Sequence, residues 1–182
     1  MLEFLRKILR PIVRFIAKIN VPKTKLNHED FERFKSHLRP SVAILSVTEL
    51  ELSNWLVPKK WGHVSIFSKR LSEQVTKGFS YDSDLAEFFY KKNHVAIYEP
   101  LFDLDLEEGE KFLLSLLKNN PQYDWEANSE DKKEYNCIEL VHDYFVFCNP
   151  EKMKTFSRIN KYALIPSDIA NNPHLFRKIY EV

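Results

Sequence analysis

The pattern that most constrains this chain is a series of short apolar or alternating runs. Each is too brief for a core helix, and stretches with helical spacing separate them. Val42-Ala43-Ile44-Leu45-Ser46-Val47 is a nearly continuous apolar run of strand length. His63-Val64-Ser65-Ile66-Phe67 alternates, with Val64 and Ile66 on one face and His63, Ser65 and Phe67 on the other. Residues 73–76 ahead of Gly78, 94–98 ahead of Pro100, and 162–165 ahead of Pro166 read as further strands. Between them, residues 27–38 have acids early and bases late and stop before Pro40, as a short helix does. Residues 50–56 read as a helical turn ending at Pro58, and residues 83–91 as a helix. Asp105, with Glu108 three residues on, has the pattern of a capping box. Phe112, Leu113, Leu116 and Leu117 form the stripe of the helix it opens, and Asn119-Asn120-Pro121 stops it. A polar loop over 122–134 leads to a last long helix, with Ile138, Val141, Phe145 and Cys148 on one face. From Pro166 onward the chain reads as short turns and an apolar tail. Strands interleaved with helices in this order predict an α+β fold around a small antiparallel sheet.

A chain of 182 residues suffices for one domain with a sizeable core. A charged fraction of 29% against 44% hydrophobic residues is that of an ordinary globular protein. The formal net charge of +1 excludes a generally basic nucleic-acid binder, and three scattered glycines cannot build a phosphate-cradling loop. The six histidines show no metal-ligand spacing, so neither metal nor cofactor is expected. Two cysteines without C-x-x-C spacing predict a reducing, cytoplasmic setting.

Residues 1–20 form a segment of their own. At about 100° per residue, Leu2, Phe4, Leu5, Ile8, Leu9, Ile12, Val13, Phe15, Ile16 and Ile19 fill one half of a helical wheel. Arg6, Lys7, Arg10, Arg14 and Lys18 fill the other, with Pro11 at the boundary. The basic residues interrupt any signal-peptide apolar region, and no apolar run is long enough to span a bilayer. Two readings stay open: a helix covering the core, or one lying on an anionic membrane surface at its inner face through residues 2–19. Residues 21–40 are then a linker with a short helix, and 41–182 the main domain.

Chemistry concentrates at Tyr135-Asn136-Cys137-Ile138-Glu139. Cys137 stands where the polar loop turns into a helix, and a thiol among first-turn N–H groups favours the nucleophilic thiolate. Cys148, on the apolar face near the far end, reads as core. A nucleophilic cysteine needs a base. His142 lies about 140° around the helix from Cys137 and faces elsewhere. His28, His37 and His174 read as solvated surface. His63 and His94 each open an alternating strand, and local spacing does not choose between them. Glu73, on the strand after His63, can orient an imidazole, with Gln74 on the opposite face.

An ordered set of segments resembles the circularly permuted NlpC-type papain-like cysteine amidases and peptidases, in particular the YiiX-like branch. Val42-Ala43-Ile44-Leu45-Ser46 is similar to the family's first strand. Leu52-Ser53-Asn54-Trp55-Leu56-Val57-Pro58 followed by Trp61-Gly62-His63-Val64-Ser65-Ile66-Phe67 is similar to its histidine strand. Ser72-Glu73-Gln74-Val75 and Leu85-Ala86-Glu87-Phe88 resemble the next strand and helix. Tyr135-Asn136-Cys137-Ile138-Glu139-Leu140-Val141 resembles the nucleophile motif, and Ile165-Pro166-Ser167-Asp168-Ile169-Ala170 the closing segment. Three departures stand out: Ser41-Val42 where the family has Gly-Asp, Gly62 where serine is common, and Ile138 where serine is common.

The resemblance implies a permuted papain-like fold over 41–182, with the sheet packed against the cysteine-bearing helix. It implies Cys137 as nucleophile, His63 as base and Glu73 as third polar group; His94 matches no family position. The expected function is hydrolysis of a peptide or cell-wall-type amide, or an ester, through an acyl-thioester. The alternatives are a lipid-directed thiol hydrolase or acyltransferase at a membrane surface, and a catalytically silent binding module.

Overall fold

The computed structural model describes residues 26–48, 61–75, 77–124, 134–158 and 164–182; the segment at 1–20 and the expected helical turn at 50–56 lie outside them. In chain order the elements are α1 (His28–Ser36), β1 (Val42–Val47), β2 (His63–Phe67), β3 (Leu71–Val75), β4 (Gly78–Tyr81), α2 (Leu85–Tyr90), β5 (His94–Pro100), α3 (Leu106–Asn119), β6 (Gln122–Tyr123), β7 (Glu134–Tyr135), α4 (Cys137–Cys148), α5 (Pro150–Met153), α6 (Ser167–Ala170) and β8 (Phe176–Glu181).

Six strands form one antiparallel sheet in the order β4-β3-β2-β1-β5-β8. The apolar run of β1 is continuous because the strand is central and covered on both faces, which leaves Val42, Ala43, Ile44 and Leu45 with no exposed surface. On one face, Ala43, Leu45, Val64 and Ile66 pack with Phe112 and Leu113 of α3 and with Ile138, Leu140, Val141 and Phe145 of α4. On the other, Val42, Ile44, Leu71, Val95 and Ile97 pack with Phe31 and Phe34 of α1 and Phe88 and Phe89 of α2. Each such apolar side chain gains roughly 1.5–3 kcal/mol on leaving water. The architecture is therefore α+β, with a small antiparallel sheet between helices.

The helix placed by sequence next to the linker is part of this packing. Asn27 and Asp30 cap α1 reciprocally, its Phe34 is fully buried, and the Tyr180 hydroxyl donates to the Asp30 carbonyl at 3.0 Å. Asp105 caps α3 by accepting from the N–H groups of Glu107 and Glu108. Asn120 ends α3 in the left-handed region, at φ 41°. Where α3 crosses α4, Gly109 allows near contact, since a Cβ there would lie 2.5 Å from Cys148 Sγ and 2.7 Å from the Tyr144 ring.

The structure departs from the sequence reading at four places. Leu164 and Ile165 belong to no strand: the Ile165 N–H donates to the Asp168 carboxylate at 2.8 Å and the Ile165 carbonyl accepts from Asp168 N, which turns the chain into α6. The C-terminal tail is instead the edge strand β8, with Ile97 opposite Tyr180. A further strand, β4, closes a hairpin with β3 in which Gln74 lies opposite Phe79. Inside the polar loop, β6 and β7 form a two-residue parallel pair. No helix among the described residues is long and apolar enough to cross a membrane.

Candidate active site

The β6–β7 pair sets Tyr123 beside Tyr135 and so fixes how the chain enters α4. Asn136 is the N-cap: its Oδ1 accepts from Ile138 N at 3.1 Å and Glu139 N at 3.0 Å, while Glu139 returns Oε2 to Asn136 N at 3.0 Å. This reciprocal capping box has its signal in the sequence as Asn-x-x-Glu, of the same kind as the one expected at Asp105. The Leu140 N–H is bonded to the Asn136 carbonyl. These contacts engage the N–H groups of Ile138, Glu139 and Leu140 in the first turn of α4.

Cys137, first residue of α4, is 4% exposed and belongs to the core cluster of the α3/α4 face. Ile138 is 2% exposed and packs in that same core, so the residue after the cysteine serves to anchor the helix. His63 is the first residue of β2, at the rim of the sheet. There its imidazole lies near enough to Cys137 for the two side chains to interact electrostatically. Its Nε2 is 3.2 Å from Glu73 Oε2, and both side chains are 13% exposed. The sheet register explains the approach of Glu73: Phe67 faces Leu71 and Ile66 faces Ser72, which carries Glu73 toward Ser65 and His63. Gln74 points to the other side, where its side-chain amide donates to the Pro121 carbonyl at 3.0 Å.

The structure thus brings Cys137, His63 and Glu73 together from three separate elements. Sequence reasoning missed one further contact: Ser65 Oγ, fully buried, is also 3.2 Å from His63 Nε2. Its only signal was that it shares the face of His63 on an alternating strand.

The electrostatics follow from these contacts. Burial alone lowers an imidazole pKa, but the charge and hydrogen bond of Cys137 and the hydrogen bond of Glu73 outweigh it. Together they push His63 from 6.5 up to about 9, against a small opposing contribution from the Lys92 ammonium. For Glu73, burial disfavours the carboxylate. The His63 hydrogen bond and charge, the Lys92 charge and the Ser83 hydroxyl outweigh it and hold Glu73 below the ordinary carboxylate value. An imidazolium against a sulfur favours thiolate there.

The remaining candidates sit elsewhere. His94 bonds Glu181 Oε1 at 2.8 Å and stacks on Trp61 with ring centroids 5.0 Å apart. His142 is 3.2 Å from Asp143 Oδ1 and meets the Phe156 ring edge-on. Cys148 is buried beside Tyr144, and burial pushes its thiol up to about 11. Among the described residues no group of three His, Cys, Asp or Glu side chains is placed to hold a metal ion. A cavity of about 570 Å3 beside α3 and α4 is lined by Phe112, Leu116, Tyr135, Asp143 and Phe147, and neither Cys137 nor His63 lines it.

Comparison with protein-family models, with curated proteins and with solved structures finds no match to this chain.

Proposed function

We propose that this protein is a cysteine hydrolase with a permuted papain-like site, acting on an amide or ester. What supports the reading is one observation: His63 comes together with Cys137, whose side chain acts on its ring, and with the Glu73 carboxylate, 3.2 Å from its Nε2. His63 takes the thiol proton, the thiolate attacks the carbonyl carbon, and the Cys137 N–H bonds the oxyanion. Collapse of the tetrahedral adduct breaks the bond to the amine or alcohol, which leaves with the proton from His63. His63 then deprotonates a water that attacks the acyl-thioester, releasing the acid and restoring the thiol. Glu73 keeps the imidazole oriented and offsets its positive charge.

Labelling by a thiol-directed acyl probe tests this. Cys137→Ala is expected to abolish labelling, Cys148→Ala to leave it unchanged, and His63→Ala to slow it by about 10²-fold or more. Equal labelling of the two cysteine variants would overturn the reading.

The basic half-wheel of residues 2–19 favours a second, narrower version in which the substrate is a lipid amide or ester at an anionic surface. The full chain is then expected to co-sediment with anionic vesicles and the chain lacking residues 1–20 to stay in the supernatant. Unchanged co-sedimentation after the deletion argues against it.

A further inference from the structure

His63 Nε2 has two oxygen partners at equal range, Glu73 Oε2 and Ser65 Oγ, each at 3.2 Å. Glu73 reaches it from the neighbouring strand β3, and Ser65 from two residues along β2 itself. A fully buried serine hydroxyl destabilises the fold unless it makes such a contact, and Ser65 makes its contact with the imidazole. A ring nitrogen held by one acceptor can still swing about the bond joining ring and backbone. Acceptors converging on one N–H from two strands fix the plane of the ring as well as its direction.

We propose that Ser65 is a positioning residue of this site: its hydroxyl shares the Nε2–H of His63 with Glu73, fixing the plane in which the ring meets Cys137. The inference rests on the reading of Cys137 and His63 as the reacting pair. As a second acceptor, Ser65 also stabilises the imidazolium that accompanies the thiolate. The charged groups acting on His63 are Cys137, Glu73 and Lys92; Lys92 acts on Glu73 as well. Ser65 is the neutral member of the set, so its loss alters geometry and hydrogen bonding without adding or removing charge.

The test is the rate of Cys137 alkylation by iodoacetamide across pH, resolved by mass spectrometry, in the full chain and in Ser65→Ala and Ser65→Thr, with each variant's melting temperature. Ser65→Gly replaces Ser65→Ala if the latter does not fold. The wild type is expected to react well below the pH range of an ordinary thiol. In Ser65→Ala the acid limb should move up and the rate at pH 7 fall about three- to ten-fold, the factor that one typical hydrogen bond carries. Ser65→Thr should restore both. A shifted acid limb in wild type with an identical Ser65→Ala profile overturns the role of Ser65 alone. Loss of rate that tracks a lowered melting temperature and is not restored by threonine also overturns it, leaving Ser65 as packing. A wild-type profile like that of an ordinary thiol, near pH 8.5, overturns the reacting pair and Ser65 with it.

Discussion

His63 is a residue at which opposing forces can be ranked and their pH signature worked out. Its folded pKa of about 9 stands above the unfolded value of 6.5. The stability it contributes is therefore complete below about pH 6.5 and is lost as pH rises through about 9. A tenfold difference in proton affinity between folded and unfolded chain corresponds to about 1.4 kcal/mol. The difference in unfolding free energy between wild type and His63→Gln should therefore be largest near pH 6 and shrink by roughly a few kcal/mol at most by about pH 9.5. Chemical denaturation across that range measures it, and a difference that grows with pH would contradict the Cys137–His63 contact. Glu73 has the opposite sign: held low, it contributes above the ordinary carboxylate value and loses that contribution as pH falls below it. Cys137, His63 and Glu73 were nameable from the sequence because a cysteine, a histidine and an acid each carry a chemistry. Ser65 was not, since a serine on an alternating strand carries no mark of what it touches until the sheet register is known.

Among the elements, α4 depends on both its ends. Asn136→Ala removes the acceptor for two N–H groups and is expected to cost about 1 kcal/mol, read from denaturant midpoints. Because Cys137 follows it directly, the same change should also slow acyl-probe labelling. Near the other end, Gly109 sits against Cys148 Sγ and the Tyr144 ring. Gly109→Ala gains helix propensity, yet the overpacking of a stiff aromatic ring should win and leave a net loss of about 1–2 kcal/mol. Adding Cys148→Ala should return part of it. Elements with an unbroken or strictly alternating pattern, β1 and β2, were legible to the residue. The strand β4 has only four residues, and β8 mixes Arg177, Lys178 and Glu181 into an edge position where charges are tolerated, so neither carried a clean period of two. Residues 164–165 misled because Leu-Ile before a proline reads as a strand end, whereas Asp168 binds the backbone of Ile165 and turns the chain.

For the molecule as a whole, the sheet is a partition. The α3/α4 side holds the cysteine helix, and the α1/α2 side holds an aromatic cluster in which Phe34 and Phe89 rings lie 4.9 Å apart. Phe34→Ala should destabilise by about 3–5 kcal/mol, read from denaturant midpoints. The interleaving of short strands and helices made the α+β class legible. That α1 belongs to the core was not, because its single stripe of Phe31 and Phe34 is equally that of a helix resting beside a linker.

The two thiols also divide time between them. Both are equally buried, at 4% exposed, but Cys137 interacts with His63, whereas Cys148 is packed against Gly109 with its thiol pushed up to about 11. A reagent that modifies both should take Cys137 faster, through the thiolate that His63 favours, and reach Cys148 chiefly through excursions that part α3 from α4. Mass-resolved labelling would then report two clocks from one sample: the first counts chemical activation, the second the frequency of opening. A denaturant series should accelerate the second more steeply than the first, turning a packing detail into an internal gauge of native-state breathing.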